Sequence, residues 1–187
     1  MSRKKKIVSA KIKEVLFAGF GGQGIMFMGK LLAEGGLIAG KNVTWMPSYG
    51  AEVRGGTAYS MTKISDREIA SPIVTNPDIL IVMNKPSLAK YEAKLKEKGI
   101  LIMNRSLIDE GPKRKDIRVL SIPMTEIAAK IGDVRCANMV AIGALVKSSK
   151  IFPIRDASNA LKEMLRGKES LFLINKKALE KGYTIAR

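Results

Sequence analysis

Short apolar segments alternate with longer helical patterns over the first two thirds of the chain. The segments that predict strands are 12–18, 43–46, 57–64, 78–83, 100–104 and 117–122. The segments that predict helices are 23–39, 86–98, 124–131, 137–149, 154–166 and 170–181. Strands that alternate with helices are typical of α/β domains, and beyond Pro123 the pattern is helical to the end. The first part of the chain is therefore expected to form a sheet, and the last third to be helical.

The sheet is expected to be mixed. The first strand, its helix and the second strand have the order of a β-α-β unit, which predicts a parallel pair joined by a right-handed crossover. Residues 57–64 alternate and are rich in β-forming side chains. A turn at Asp66 and Arg67 is predicted to return the chain along Glu68–Ala70 as a β-hairpin. We predict an α/β, Rossmann-like fold with a mixed, mostly parallel sheet, a β-hairpin and a helical C-terminal third.

A glycine-rich turn, Gly19–Gly24 with the sequence GFGGQG, joins the first strand to the first helix. Glycines allow a sharp turn and let a ligand or another chain approach the N–H groups at the start of a helix. The spacing of Gly19, Gly21 and Gly24 fits the dinucleotide-binding fingerprint G-x-G-x-x-G. The turn therefore has three interpretations: a dinucleotide site, a ligand-free tight turn, or a site for a different ligand or a neighbouring chain.

The dinucleotide interpretation also requires an acidic residue at the end of the second strand, where it binds the ribose hydroxyls. That strand ends at Met46-Pro47 instead. Glu34 lies inside the first helix, and Glu52 lies deep in the following loop. The most specific part of a nicotinamide or flavin-adenine site is therefore missing.

Two polar groups are expected at the carboxyl edge of the sheet, where ligands of open α/β sheets bind. Gln23 lies in the first turn of the helix, and its amide is expected to point out of this edge. The loop Glu52–Gly56 follows the second strand and should emerge at the same edge. Arg54, followed by Gly55, can present its guanidinium to a phosphate or carboxylate with little steric cover. Alternatively, Arg54 forms an ion pair with Glu52 or is a surface charge.

Composition limits the chemistry that the chain can perform. The length of 187 residues predicts a single domain over residues 1–187, with a basic N-terminus at 1–11, and the apolar share of 46% predicts a globular chain. The chain has no histidine, so it lacks the commonest general base and metal ligand. Its single cysteine, Cys136, excludes an internal disulfide and a self-contained iron–sulfur cluster. We expect Cys136 to be a small buried residue and predict no metal site.

Charge and hydropathy bear on partners and location. The net charge of +16 favours acidic partners, although a solvated lysine-rich surface explains it equally well. The basic residues are spread over several predicted helices and aromatics are only 5%, which disfavours nucleic-acid binding. No apolar run approaches the ~18 residues of a membrane span. Lys11 and Lys13 interrupt any signal core after the basic start, so we expect a cytoplasmic protein without a membrane partner.

Several motifs occur in a characteristic order along nearly the whole chain. They are Gly19–Gly24, Ser48–Ala58, Ile64–Asp66, Asn76–Leu80 and Cys136–Leu145. Together they resemble the gamma subunit of the 2-oxoacid:ferredoxin oxidoreductases. Similar domains occur in the pyruvate, branched-chain 2-oxoacid and indolepyruvate enzymes of that superfamily. No motif is specific alone, but the joint order is.

The resemblance implies a subunit that is not active alone. In that family the holoenzyme oxidatively decarboxylates a 2-oxoacid to an acyl-coenzyme A and passes the electrons through iron–sulfur clusters to ferredoxin. Thiamine diphosphate, Mg and the clusters are carried by partners, namely alpha, beta and, as a further candidate, a ferredoxin-like delta subunit. The chain has no Gly-Asp-Gly…Asn thiamine motif and no cluster cysteines. We expect no catalytic residue here, and coenzyme A as a ligand shared with the partners.

The resemblance also suggests which residues face the partners' active-site cleft and bind cofactor. They are Gly21, Gly22, Gln23, Gly24, Glu52, Arg54, Gly55 and Asn138. Arg54 is the residue expected to contact an anionic group, either a coenzyme A phosphate or an acidic partner side chain. Asn138 stands at the start of the apolar helix Met139–Val146, and its alternative role is a helix cap or turn. The basic excess would then serve docking to acidic subunits or to ferredoxin. The alternative function is a stand-alone NAD(P)- or flavin-binding Rossmann oxidoreductase.

Overall fold

A six-stranded sheet with the order β2-β3-β1-β4-β5-β6 forms the centre of the computed structural model, which describes residues 12–48 and 57–186. The strands are β1 (Lys13–Phe20), β2 (Asn42–Ser48), β3 (Thr57–Ser65), β4 (Ile79–Val82), β5 (Ile100–Asn104) and β6 (Arg118–Ile122). The helices are α1 (Ile25–Ile38), α2 (Lys85–Tyr91), α3 (Met124–Ile131), α4 (Ala137–Ser149), α5 (Ile154–Met164) and α6 (Glu169–Ile185). Short 3₁₀ turns cover Glu92–Lys94 and Val134–Cys136. The predicted α/β class, the mixed sheet and the helical C-terminal third are confirmed.

The predicted pairing of the first two strands is wrong. Strands β1, β4, β5 and β6 are parallel, but β3 lies antiparallel between β1 and β2. Strands β2 and β3 pair along their whole length, from Asn42 opposite Ser65 to Ser48 opposite Tyr59. Strands β2 and β3 follow each other along the chain and form an antiparallel hairpin. The strand of this hairpin that lies beside β1 is β3, not β2. The crossover through α1 therefore passes over β3 to reach the edge strand.

Residues 57–64 do belong to a β-hairpin, but β3 pairs with the preceding strand β2 and not with the predicted Glu68–Ala70. Residues Glu68–Ala70 form no strand. Both sides of β3 are already occupied, by β1 and by β2, so Glu68–Ala70 have no free edge of β3 to pair with. The second strand is longer than predicted and includes Pro47, which an edge strand tolerates because it needs no N–H donor on its outer side.

The two faces of the sheet carry different layers. Alternate residues of the strands point to opposite faces, as the two-residue period of a strand requires. On one face, Val15, Phe17 and Ile81 pack with α1 and the four C-terminal helices in the larger core. On the other face, Leu16 and Val82 pack with α2 in a smaller core. None of the helices in the described ranges is long and apolar enough to cross a membrane.

The chain leaves β1 and β4 towards opposite faces of the sheet. Strand β1 continues through α1 on the larger-core face, whereas β4 continues through α2 on the other face and leads to β5. Such a reversal opens a crevice at the carboxyl ends of the two strands, which is the usual place for a ligand in an open α/β sheet. The glycine-rich turn lies in this crevice.

Candidate functional site

The glycine-rich turn needs its glycines for different physical reasons. Gly22 and Gly24 have φ of 90° and 72°, in the left-handed region that side chains with a Cβ rarely adopt. A Cβ on Gly22 would contact nothing within 4 Å, so the backbone there is open to a ligand or a partner. A Cβ on Gly24, in contrast, would overlap the amide nitrogen of Asn138. One glycine therefore offers open space, and the other allows close internal packing.

Gln23 fastens this turn to the neighbouring strand. Its Oε1 accepts hydrogen bonds from the backbone N–H of Phe20 at 2.7 Å and from Nδ2 of Asn84 at 3.1 Å. Its Nε2 donates to the carbonyl oxygen of Met83 at 3.3 Å. The amide, which we expected to point out of the sheet, is thus directed into the crevice between β1 and β4. Met83 and Asn84 lie 60 and 61 residues away in sequence, which is why the orientation was not predicted.

Two buried asparagines support the same edge. Asn84 is the N-cap of α2, because its Oδ1 accepts from the N–H of Ser87 at 2.9 Å. Asn104, at the end of β5, accepts from the N–H of Met124 at 3.1 Å and donates to Oγ1 of Thr125 at 2.9 Å. These bonds fix the starts of α2 and α3. The side-chain amides of both asparagines are therefore engaged in the fold itself.

A cleft of about 210 Å³ opens at this edge, and we call it the carboxyl-edge cleft. It is lined by Gly22, Gln23, Met83, Asn104, Leu107, Thr125, Val134, Arg135 and Ala137. The side chains of Leu107 and Val134 are large, apolar and about half exposed at its rim. A rim of this kind suits contact with a ligand or another chain better than contact with water.

Arg135 is the one cation among the described residues that line this cleft, and it was not among the site residues predicted from the sequence. Its side chain is 81% exposed and forms an ion pair with Asp133 at 2.7 Å. Asp133 also accepts from the backbone N–H of Arg135 at 2.9 Å and begins the 3₁₀ turn. Hydrogen bonding from Arg135 holds the pKa of Asp133 below its usual range, and Asp133 raises the pKa of Arg135. The guanidinium is therefore oriented at the cleft while much of it stays open to solvent. In the sequence, the only indication of its role is that the segment Asp133–Arg135 directly precedes the motif Cys136–Leu145.

Asn138 does not cap a helix, contrary to the alternative that we considered for it. It is the second residue of α4, and Oδ1 is buried without a hydrogen-bond partner among the described residues. Its amide packs on Gly24 of the glycine-rich turn. A second cleft of about 180 Å³ lies beside it and includes Phe27, Cys136 and Asn175. Cys136 is buried as predicted, and burial raises the pKa of its thiol.

Glu52, Arg54 and Gly55 lie outside the described residues. The flanking residues nevertheless give the position where their loop leaves and rejoins the sheet. Ser48 ends β2 opposite Tyr59, and Thr57 begins β3 opposite Phe20. Both ends of the loop are therefore at the same edge as the glycine-rich turn, as we expected.

The sheet order bears on the dinucleotide interpretation. In a dinucleotide site the strand beside β1 is parallel to it and carries the ribose-binding acid at its carboxyl end. Here the strand on that side is β3, which is antiparallel and presents its first residue at this edge. Among the described residues, the strand beside β1 on that side therefore does not end at this edge and cannot carry such an acid above the glycine-rich turn.

Known proteins that are similar to this chain identify its family. The model of the pyruvate ferredoxin/flavodoxin oxidoreductase family matches residues 14–185. The ketoisovalerate oxidoreductase subunit VorA of Methanothermobacter marburgensis is 35% identical over 175 residues, which are 92% of this chain and 36% of that protein. The chain thus spans about a third of the length of that relative.

Two solved structures share the fold. The gamma subunit of a keto/oxoacid ferredoxin oxidoreductase from Geobacter sulfurreducens superposes with a TM-score of 0.82 at 30% identity, over 93% of this chain and 98% of that one. The 2-oxoglutarate:ferredoxin oxidoreductase of Magnetococcus marinus, with 2-oxoglutarate, coenzyme A and succinyl-CoA bound, gives 0.85 at 25% identity, over 94% of this chain and 31% of that one. With the family match over almost its whole length, the chain belongs to the pyruvate ferredoxin/flavodoxin oxidoreductase family.

Proposed function

We propose that this chain is the gamma subunit of a heteromeric 2-oxoacid:ferredoxin oxidoreductase that forms acyl-coenzyme A. The observation that carries the proposal is the carboxyl-edge cleft, built on the glycine-rich turn of a chain that matches the family over residues 14–185. Thiamine diphosphate, Mg and the iron–sulfur clusters belong to alpha, beta and ferredoxin-like delta partners, and ferredoxin accepts the electrons. The chain itself supplies packing surface beside the active site and part of the coenzyme A site.

The residues of the cleft fit part of coenzyme A. Gly24 is the N-cap of helix α1 and provides no side-chain cap, and the first turn contains no acid, so the positive end of the helix is not neutralised. Gly22 leaves the backbone open, and Arg135 adds a guanidinium at the rim. These are donors for a phosphate or diphosphate group. A cleft of about 210 Å³ holds such a group or the pantetheine arm but not the whole molecule, so partner surfaces complete the site.

Other candidate residues extend the same surface. The loop that contains Glu52, Arg54 and Gly55 leaves and rejoins the sheet at this edge, so Arg54 is our second candidate for an anionic contact. Asn138 lines the adjoining second cleft, where its Nδ2 packs on Gly24 and its buried Oδ1 has no hydrogen-bond partner among the described residues, so it would support the turn from behind. When bound, coenzyme A would supply the thiol that takes the acyl group.

Purification with the native partners tests the assignment as a subunit. The tagged chain, expressed in its own host, should co-purify with thiamine- and cluster-bearing subunits. The assembly should reduce ferredoxin only when both a 2-oxoacid and coenzyme A are present. A chain that purifies alone and binds NAD(P) or flavin in calorimetric titration would refute the assignment and support the stand-alone oxidoreductase.

Two arginines of equal exposure make a controlled test of the coenzyme A site. The side chains of Arg135 and Arg155 are both 81% exposed, and each is next to an aspartate. In the assembled enzyme, Arg135→Ala should raise the Michaelis constant for coenzyme A about tenfold, the loss of one charge-assisted contact. Arg155→Ala should leave it unchanged, whereas Arg54→Ala should raise it with little change in stability. Equal effects of Arg135→Ala and Arg155→Ala would show that only net charge matters.

A further inference from the structure

A polar cavity lies at the opposite edge of the sheet from the glycine-rich turn. It has a volume of about 180 Å³ and lies where β1 begins, β3 ends and α4 ends. We call it the amino-edge cavity. Because β1 has eight residues, the two edges are roughly 23 Å apart along that strand. The cavity is therefore separate from the carboxyl-edge cleft and plays no part in the proposed function.

Positive charge exceeds negative charge around this cavity. Three lysines line it, Lys13, Lys41 and Lys150, together with one acid, Asp66. Asp66 forms an ion pair with Lys41. Within the described part of the chain the ammonium groups of Lys13 and Lys150 have no ion-pair partner. Two uncompensated ammonium groups at one concave polar site favour an anion there.

A buried hydroxyl adds a directed donor. Ser65 is 2% exposed and lines the cavity. Its Oγ accepts a hydrogen bond from the backbone N–H of Arg67 at 3.0 Å. A serine hydroxyl that already accepts one bond still has its own proton to donate. The cavity can thus offer an anion one O–H donor at its wall in addition to the ammonium groups.

The backbone at Lys150 gives an independent indication. This residue follows α4 with φ of 51°, in the left-handed region where helices usually end with glycine. A residue with a Cβ costs roughly 1 kcal/mol there compared with glycine. The lysine at this position brings an ammonium group to the cavity at the expense of local backbone energy.

We propose that the amino-edge cavity binds one phosphate-sized tetrahedral oxyanion, held by Lys13, Lys150 and the hydroxyl of Ser65. The volume accommodates a single phosphate group but not a nucleotide. The group is either free inorganic phosphate or the terminal phosphate of a phosphomonoester. The chemistry of recognition is the same for both, because both present a dianionic cluster of acceptor oxygens.

Calorimetric titration of the full chain tests this proposal. Inorganic phosphate and glycerol phosphate are titrated separately at constant ionic strength. Saturable 1:1 binding of either one that Lys150→Gly weakens and Arg135→Ala leaves unchanged supports the site, because the carboxyl-edge cleft is also proposed to accept a phosphate group. The ligand that binds more tightly identifies the source of the phosphate. Lys150→Gly should weaken binding at least tenfold. The matched control is Lys177→Gln, which removes one charge from the exposed face of α6 and should change the affinity less than twofold.

The stability of Lys150→Gly keeps the test interpretable. Glycine suits the left-handed conformation, so this variant should unfold at an equal or higher temperature than the wild type. Loss of binding then cannot result from misfolding. Equal weakening by Lys150→Gly and Lys177→Gln would reduce the effect to net charge and overturn the proposal. Absence of saturable binding by both ligands would also overturn it.

Discussion

Helices α4 and α6 contact each other backbone to backbone, and this makes Gly143→Ala a strong test of the fold. A Cβ on Gly143 would overlap the carbonyl oxygen of Leu179 and lie 2.6 Å from the backbone nitrogen of Tyr183. The reciprocal contact is at Gly182, where a Cβ would overlap the carbonyl oxygen of Val140. No side chain can rotate away to relieve these overlaps, because the obstructing atoms belong to the backbone.

The magnitude follows from two opposing effects. Alanine has a higher helix propensity than glycine by about 1 kcal/mol, which alone would stabilise α4. A Cβ essentially never lies closer than 3.0 Å to such an atom, and here it would lie 2.0 Å from the carbonyl oxygen of Leu179, so the helices must separate by roughly 1 Å to admit the methyl group. Overpacking of this kind costs about 1–3 kcal/mol and occasionally more. Because Ala137–Val146 of α4 are all buried and the obstructing atoms are backbone, the overpacking cost should lie near the top of that range, and subtracting the gain in helix propensity leaves a net loss of about 2 kcal/mol.

Urea denaturation of the full chain, followed by circular dichroism, measures this loss. Gly182→Ala should lose a similar amount, since it widens the same contact from the other helix. The control is Gly111→Ala, because a Cβ there would contact nothing within 4 Å. It should change the free energy of unfolding by less than about 0.5 kcal/mol. If Gly143→Ala instead stabilises the chain, as helix propensity alone predicts, the close packing of α4 on α6 is wrong.

Two further predictions concern polar networks. Burial alone would raise the pKa of Glu14, but hydrogen bonds from Lys63 and Lys96 outweigh it and hold that pKa below the usual 4.5. The ionised carboxylate of Glu14 therefore stabilises the fold fully above about pH 4.5, and this contribution is lost as the pH falls through the lower pKa of the folded state. Glu14→Gln should cost about 2 kcal/mol at pH 7 and progressively less below about pH 4.5, whereas Glu163→Gln, in an exposed pair, should cost little at any pH. A pH-independent cost of Glu14→Gln in chemical denaturation would contradict this account. Gln23→Glu would place a carboxylate oxygen against a backbone carbonyl and should destabilise the chain by about 1–2 kcal/mol in the same assay, and an unchanged stability would mean that the amide is oriented differently.

The local elements of the fold were predictable from the sequence, but the strand order was not. The bounds of α3 and α4 agree with the prediction, since Pro123 and the apolar run after Cys136 mark both helices clearly. The place of β3 depends on pairing with β1 and β2, and residues that pair across strands leave no periodic signal within either strand. A β-α-β pattern is compatible with an adjacent pair and with a pair separated by a third strand. The adjacent pair was the simpler prediction, and it was wrong.

In the candidate site, too, the local features were predictable from the sequence and the non-local ones were not. The glycine-rich turn was predictable, because its glycines satisfy backbone requirements that are local. The orientation of Gln23 was not, because its partners Met83 and Asn84 come from another strand. Arg135 was missed because one arginine beside an acid has no distinguishing pattern until the fold brings it to the rim of the cleft. Residues that act through non-local geometry are thus the ones that sequence alone does not reveal.

The position of β3 explains why the glycine-rich turn need not bind a dinucleotide. The turn retains the features that suit an anion, namely an uncapped helix start and an open backbone at Gly22. The insertion of an antiparallel strand beside β1 removes the strand end that would carry a ribose-binding acid. In its place, the loop between Ser48 and Thr57 begins and ends next to the turn. The same glycine spacing is therefore compatible with recognition of a phosphate group from one side and of a neighbouring subunit from the other. This combination is what the proposed function requires, in which the chain shares its ligand with partner subunits.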